Sequence, residues 1–221
     1  MASFVKKKVI GKFKTSGSLY ITDPSYNVLE VIKGNKHKNI TAILENVKKG
    51  LYNVMITYNE IYQRRIESIS IIHSLIKMSK IKKHEFYGTI ATDTGIIGIF
   101  DSEVYPKDIK QGADIFWHQC IDLVREDEFF FQQANIFYAS PSLKIGKGTV
   151  TPSGWGEGIY NLTCYFDTND IIIALDIDFQ IAEIANDLIA LKVMIKDELD
   201  FTQIGSSTDS PEDLMCLCLK K

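Results

Sequence analysis

The sequence predicts an α+β fold made mainly of antiparallel strands, in which internally repeated β-hairpin units form a sandwich or barrel-like sheet beside one main helix. Two observations point to strands: a Gly-x-Tyr-Asn pattern occurs twice, and Gly, Pro and Asp turn signals separate short apolar runs. A third limits the helices, because only residues 106–126 carry a long series of apolar residues at helical spacing. With 221 residues, 45% of them hydrophobic, the chain can bury a substantial core. We therefore expect a single domain, 1–221.

The chain opens with strands that end in a turn. Apolar and polar residues mix over residues 4–13 and 18–22 in the manner of strands. Asp23-Pro24 then predicts a turn, because proline fixes its own φ and the aspartate side chain accepts nearby backbone N–H groups. A polar, glycine-containing loop is expected over residues 34–39.

Two later segments, residues 49–71 and 157–179, resemble each other. The first contains Gly50-Leu51-Tyr52-Asn53-Val54 and the second Gly158-Ile159-Tyr160-Asn161-Leu162. In both, a polar turn follows the strand, and a second strand then alternates apolar with small or polar residues. Alternation at a period of two buries one face of a hairpin. The repeat therefore predicts a pseudo-symmetric β core.

The segment between the repeats contains both strands and the main helix. Residues 85–100 predict two strands around a turn at Asp93-Thr94-Gly95. After Pro106 the apolar spacing becomes helical, which predicts the main helix over about 106–126.

Three further segments are predicted by weaker patterns. A short helix is expected near residues 72–81. Residues 181–195 fit either a helix or a strand, and residues 205–213, GSSTDSPED, are expected to form a polar loop.

Composition and charge exclude several classes of protein. The formal net charge of -3 gives no overall basic field, so we expect no binding to nucleic acid. No apolar run approaches the roughly 20 residues of a membrane helix, and the first residues lack the apolar stretch of a secretory signal. The four cysteines show neither CxxC spacing nor the density of a disulfide framework; they are Cys120, Cys164, Cys216 and Cys218. Reduced thiols in the cytoplasm are therefore expected.

The turn Asp93-Thr94-Gly95 also matches the active-site tripeptide of aspartic peptidases. Those enzymes need two carboxylates that share one proton. The chain has no second Asp-Ser/Thr-Gly, and bulky Ile96 stands where such enzymes carry a small residue. The tripeptide is therefore interpreted as a tight turn.

The stretch Ser153-Gly154-Trp155-Gly156-Glu157-Gly158-Ile159-Tyr160 is the most unusual in the chain. Alternating glycines allow positive φ and close backbone approach, and the aromatic rings supply flat apolar surface. Two interpretations stay open. The stretch is either a loop that cradles a ligand with Glu157 as its charge, or a bulged start of a hairpin with Trp155 covering the core.

We expect any functional site to lie where the Asp93-Thr94-Gly95 turn meets the Ser153–Tyr160 loop. Trp155 would offer a stacking face, and the acidic residues would accept hydrogen bonds from cationic or hydroxyl-bearing groups. The predicted ligand-binding residues are Asp93, Gly95, Asp101, Ser153, Trp155, Glu157 and Tyr160.

An alternative interpretation is a metal-dependent hydrolase that uses Asp93, Asp101 and Glu157. Four carboxylates near turns or strand ends could converge on a hard cation such as Ca²⁺ or Mg²⁺, namely Asp23, Asp93, Asp101 and Glu157. Turns are rich in aspartate regardless of function, and no two histidines have zinc-ligand spacing. We therefore expect no metal site and no cofactor.

These stretches together resemble a bacterial family defined only as a domain of unknown function. The resemblance covers about residues 20–180. It rests on Asp23-Pro24, the Gly50–Val54 strand, a Tyr-Gly…Asp-x-Gly…Phe-x-Asp motif from Tyr87 to Asp101, and the Ser153–Tyr160 hairpin. Asparagine replaces the family's proline in both Gly-x-Tyr strands, and Glu157 replaces an aspartate. The resemblance implies a similar fold and a cytoplasmic location, and it carries no activity with it.

Together these motifs favour a binding or interaction protein over an enzyme. No complete catalytic constellation is evident, and β-rich surfaces readily recognise other proteins. We expect a bacterial protein, for example an immunity or defence-associated factor, that binds another protein or a small ligand. The oligomeric state and the partner are not predicted.

Overall fold

The computed structural model describes residues 5–26, 41–59, 65–76, 80–106, 109–124, 133–138 and 145–179. All of these lie within one compact unit, Met1–Ala182. The segments 34–39, 181–195 and 205–213 lie outside the described residues. The prediction of a single domain over 1–221 therefore stays a prediction.

Eleven strands of the described chain form two sheets in which every neighbouring pair is antiparallel. They are β1 Val5–Thr15, β2 Leu19–Thr22, β3 Ala42–Leu44, β4 Gly50–Asn59, β5 Arg65–His73, β6 Lys83–Thr92, β7 Ile96–Asp101, β8 Asn135–Phe137, β9 Gly148–Pro152, β10 Gly158–Phe166 and β11 Ile172–Asp178. One sheet has the order β1-β4-β5-β11-β10-β6 and the other β3-β2-β7-β9-β8. The predicted α+β, mainly antiparallel fold is confirmed. Both sheets are open, so the arrangement is a sandwich and not a closed barrel.

The two sheets share one hydrophobic core. Ile21 and Ile99 from the five-stranded sheet belong to the same buried cluster as Val54, Ile69 and Ile177 from the six-stranded sheet. Val54, Ile69 and Ile177 alternate along their strands with residues that are less buried, as a period of two requires. The outer face of the six-stranded sheet therefore lies away from this core.

One helix, α1 (Ile109–Val124), packs on the other face of the five-stranded sheet. Phe116 and Cys120 of the helix are buried with Phe100 and Val150 of the sheet, and the rings of Phe100 and Phe116 meet edge to face at 5.0 Å. The main helix expected over about 106–126 is thus present, with Pro106 just outside it. Residues 107–108 and 125–132 lie outside the described residues.

The short helix predicted near residues 72–81 is wrong at its start. Ile72 and His73 are the last residues of β5, and a turn follows at residues 74–75. The error arose because Ile71 and His73 are buried on the same face at a strand period of two, whereas the run of isoleucines also fits a helix.

The two predicted repeat segments form equivalent hairpins, β4–β5 and β10–β11, which lie side by side through β5 and β11. Their registers correspond residue by residue: Val54 pairs with Ile71, and Leu162 pairs with Ile177. The likeness extends to the flanking strands, because β1 and β6 each pair with the first strand of one hairpin. Strands β1, β2, β4 and β5 thus correspond to β6, β7, β10 and β11, and these two sets of strands are here called the two copies of one β unit.

The shared Gly-x-Tyr-Asn motif has the same physical role in both copies. The hydroxyl of Tyr52 donates to the carbonyl of Lys48 at 3.0 Å, and that of Tyr160 donates to the carbonyl of Gly156 at 2.9 Å. Each tyrosine therefore holds the chain four residues before it, at the point where its strand begins. Each ring also makes an edge contact at the end of the hairpin, Tyr52 with His73 at 5.2 Å and Tyr160 with Phe179 at 5.1 Å.

A pseudo-two-fold axis relates the copies and passes through both sheets. In the six-stranded sheet, Ser70 of β5 pairs with Asp176 of β11, and the pairing continues symmetrically on both sides. In the five-stranded sheet, Ile21 of β2 pairs with Ile99 of β7. Equivalent residues therefore face each other across the β5–β11 pair and across the β2–β7 pair.

Two buried aspartates, one from each copy, form hydrogen bonds with the other copy. Asp23, which follows β2, lies with one carboxylate oxygen 2.7–3.1 Å from four donors of the second copy: the Thr92 hydroxyl, both N–H groups of residues 93 and 94, and the Thr94 hydroxyl. Asp101, which ends β7, accepts from the backbone N–H and the hydroxyl of Ser16 in the first copy. Both side chains are fully buried. Each copy therefore fastens the turn of the other.

We predict that Asp23→Asn lowers the free energy of unfolding by about 3 kcal/mol, because the amide group would place an N–H donor or a neutral oxygen where four donors converge. Urea unfolding measures the change. Asp122→Asn, on the exposed side of α1, is the matched control and is expected to change the free energy of unfolding by less than about 0.5 kcal/mol. Equal stability of the two variants would contradict a structural role for this buried carboxylate.

Candidate functional site

The Asp93-Thr94-Gly95 turn and the Ser153–Tyr160 loop are in contact. Gly95 has φ +72°, and a Cβ added to it would lie 2.9 Å from the Cα of Gly156. The backbone N–H of Ser153 donates to the carbonyl of Gly95 at 2.9 Å. Two glycines meet where a side chain would separate the two backbones.

Three of the seven predicted site residues use their polar groups for hydrogen bonds within this junction. The hydroxyl of Ser153 donates to the carbonyls of Gly95 and Gly156, and the hydroxyl of Tyr160 also donates to Gly156. Gly95, Ser153 and Tyr160 are buried. These groups give the loop its shape, and a ligand-binding role for them stays a prediction.

The remaining predicted residues of the junction lie nearer its surface. The ring of Trp155 packs against the core, and the guanidinium carbon of Arg65 lies 4.5 Å from the ring centroid. Arg65 also donates to the carbonyl of Gly154 at 3.1 Å. The stacking face expected of Trp155 is thus covered on one side by a cation of the chain itself. Asp93 and Glu157 are exposed.

The structure corrects the placement of Asp101. Gly95 precedes β7 and Asp101 ends it, so about 20 Å of extended strand separates Asp101 from the junction. The aspartate at the junction is Asp23, through its bonds to the 92–94 turn. Local sequence patterns place Asp101 on a strand end and cannot identify which turn it meets. Among the described residues, no three His, Cys, Asp or Glu side chains are grouped in a way that could hold a metal ion.

A second candidate site lies on the outer face of the six-stranded sheet. It is a cavity of about 340 Å³, here called the sheet cavity, and its polar lining comes mainly from Lys7, Thr57, Glu67, Ser68, Asp176 and Asp178. The volume falls within the range of small-molecule sites. The cavity lies over β5 and β11, at the pseudo-two-fold axis.

Strand alternation explains why polar residues line the sheet cavity. Ile69 and Ile177 are fully buried between the sheets, so their neighbours Ser68, Asp176 and Asp178 lie on the outer face. Sequence reasoning recognised this alternation and used it only for the core. The missed signal was that two acidic residues occupy the outer face of a central strand, where sheets favour apolar or β-branched residues.

A β-bulge brings Glu67 to the sheet cavity. Thr57 pairs with Ser68 and Tyr58 pairs with Ile66, which leaves Glu67 as the extra residue of β5. One carboxylate oxygen of Glu67 is buried and accepts no hydrogen bond from the described residues. Burial raises the pKa of Glu67, and the nearby charge of Asp178 raises it further.

Asp176 occupies the centre of the sheet cavity. The hydroxyl of Ser70 donates to its carboxylate at 2.5 Å. Burial raises the pKa of Asp176 and the charge of Asp178 adds to this, while the Ser70 hydrogen bond and the charge of Lys7 act in the opposite direction. The net effect is a carboxyl group that the folded chain keeps protonated to a higher pH than usual.

No protein-family model, curated protein or solved structure matches the chain. The resemblance to a bacterial family of unknown function stays a prediction. Within the part of the chain that the structure describes, no helix has the length and apolar character needed to cross a membrane.

We predict that Asp176→Asn raises the melting temperature at pH 7 by about 2–4 °C. Because the pKa of Asp176 is higher in the folded chain than in the unfolded one, ionising it above that pKa destabilises the fold, and the variant removes this penalty. The gain should disappear as the pH falls through the folded pKa towards the ordinary carboxyl value. Thermal unfolding from pH 3.5 to 8 tests this, with Asp122→Asn as the control. A variant that melts below the wild type at pH 7 would show that Asp176 serves stability.

Proposed function

We propose that the chain is a non-catalytic binding protein whose ligand occupies the sheet cavity. The observation that carries this proposal is the combination of a 340 Å³ cavity with acidic groups whose charged forms are poorly satisfied there. Ionised groups with raised pKa values reduce stability, and such costs are common where a chain must recognise a ligand. The opposite face of the same sheet already supplies the core, so the fold itself does not require them.

The buried nucleophiles of the described chain support binding over catalysis. Cys120 and Cys164 are free and buried. Burial raises the pKa of both thiols, that of Cys164 to about 12, so neither is an ionised nucleophile at neutral pH. His73 is buried beside Tyr52, where burial lowers its pKa. None of these three groups lines the sheet cavity.

The wider setting of the function is also proposed. Buried, unpaired thiols in the described chain suit a reducing compartment, which supports a cytoplasmic location. A bacterial protein of this kind, with a rigid two-layer β frame and a polar cavity on an open sheet face, suits an immunity or defence-associated role. In such a role the ligand is a small molecule or a side chain presented by another protein.

Filling the sheet cavity provides the test of this proposal. We predict that Ser68→Phe abolishes ligand binding without unfolding the chain, because the ring would project from the outer face into the cavity, and aromatic residues suit strands. Asn161→Phe is the matched control. It lies on the same sheet face at an exposed position of β10, outside the cavity.

Saturation-transfer NMR with a mixed library of cationic, neutral and anionic small molecules measures binding to the three proteins. Signals present with the wild type and Asn161→Phe and lost with Ser68→Phe would support the proposal. Circular dichroism confirms that both variants are folded. The proposal would be contradicted if no compound in the library showed binding that depends on the cavity. It would also be contradicted if the ligands of the wild type bound Ser68→Phe unchanged.

A further inference from the structure

The charges around the sheet cavity point to a ligand of one chemical class. We propose that the sheet cavity binds an organic cation, an ammonium or guanidinium group carried on a short alkyl chain. This inference rests on the proposed function and names its ligand.

The lining carries more acidic than basic groups. Glu67, Asp176 and Asp178 are three carboxyl groups, and Lys7 is the one amine among the described lining residues. Lys7 lies on the edge strand β1, two strands away from β5. A cation bound over β5 and β11 would meet the excess acidic charge where the lining is partly removed from water and attraction is stronger.

The hydrogen-bonding state of the acidic groups indicates the same ligand. The buried oxygen of Glu67 accepts no hydrogen bond from the described residues, while Asp176 accepts from Ser70. An ammonium group supplies three N–H donors and a guanidinium five, with no acceptor to oppose the carboxylates. A neutral or anionic ligand would supply no charge opposite to that of Glu67 and Asp176.

The size and apolar part of the sheet cavity favour an organic cation over a metal ion. Its volume of about 340 Å³ greatly exceeds the space of one hydrated metal ion. Met55, Ile72 and the ring of Tyr165 also line it. Apolar side chains suit an alkyl chain, and an aromatic ring suits its cationic end.

The internal duplication separates these acidic groups from the requirements of the fold. Asp176 of the second copy corresponds to Ser70 of the first, and Asp178 corresponds to Ile72. The same strand position in the same register therefore accepts a serine or an isoleucine. Because the fold does not need a carboxylate at either position, the acids of β11 are better explained by a ligand.

Calorimetric titration of the full chain with 1,4-diaminobutane tests the inference, and 4-guanidinobutylamine provides the guanidinium arm. The neutral analogue 1,4-butanediol controls for the alkyl chain. We predict one site per chain for either cation, affinity at least tenfold weaker in Asp176→Asn, and no detectable binding of the diol. Asp122→Asn, an exposed acid of α1, is the matched control and should bind like the wild type, while Glu157→Gln reports on binding at the Ser153–Tyr160 loop.

Proton release is a second readout that does not depend on any variant. A bound cation favours the ionised forms of Glu67 and Asp176, whose pKa values are raised in the free chain, so binding should release protons. The groups that face them are Lys7 from β1, Tyr165 from β10 and Asp178 from β11. Titration near pH 5 in two buffers of different ionisation enthalpy measures the release.

The outcomes separate this inference from the proposed function. If neither cation binds while a neutral or anionic compound still binds in a manner blocked by Ser68→Phe, the organic-cation inference is overturned and the proposed function stands. If cation binding is lost in Glu157→Gln and kept in Asp176→Asn, the ligand lies at the turn–loop junction and both are overturned. Binding of Mg²⁺ that requires Asp176, without binding of either organic cation, also overturns the inference.

Discussion

The rest of the structure depends on two buried carboxylates, one from each copy, that accept hydrogen bonds from the other copy. Asp23 follows β2 and Asp101 ends β7, and each binds the turn of the opposite copy. A buried carboxylate is costly unless donors surround it. Within its own copy each aspartate accepts one backbone N–H, from Ser25 or from Glu103, and the other copy supplies further donors. The two halves therefore fold as one body, with β2 and β7 held at a fixed register.

Because the five-stranded sheet is held at a fixed register, side chains on the outer face of the six-stranded sheet can vary. The buried side chains of the hairpins β4–β5 and β10–β11 pack against the five-stranded sheet. Tyr52 and Tyr160 hold the start of each hairpin. The other face of these hairpins contributes little to the core. Side chains there can change without disturbing the sandwich, which allows a polar cavity to form at the pseudo-two-fold axis.

Local patterns in the sequence predicted the strands of both hairpins, the turn at 93–95 and the main helix, because each depends on neighbouring residues. They could not predict which strands pair across the copies. The bond between Ser16 and Asp101 joins residues 85 positions apart, and no local pattern records it. For the same reason the sequence could not show that Asp101 binds the turn at Ser16. The bulge that exposes Glu67 to the sheet cavity was also missed, because it is defined only by pairing with β4.

An internally duplicated chain allows structural and functional acids to be distinguished without any other sequence. Asp23 and Asp101 occupy equivalent positions in both copies and make equivalent contacts, so their role belongs to the repeated unit. Asp176 and Asp178 occur in one copy only, and the other copy carries Ser70 and Ile72 at the corresponding positions. When one copy carries a residue that the other copy lacks at the same register, the contacts common to both copies do not require that residue. By this criterion the acids at the turns maintain the fold, and those of the sheet cavity are available to a ligand.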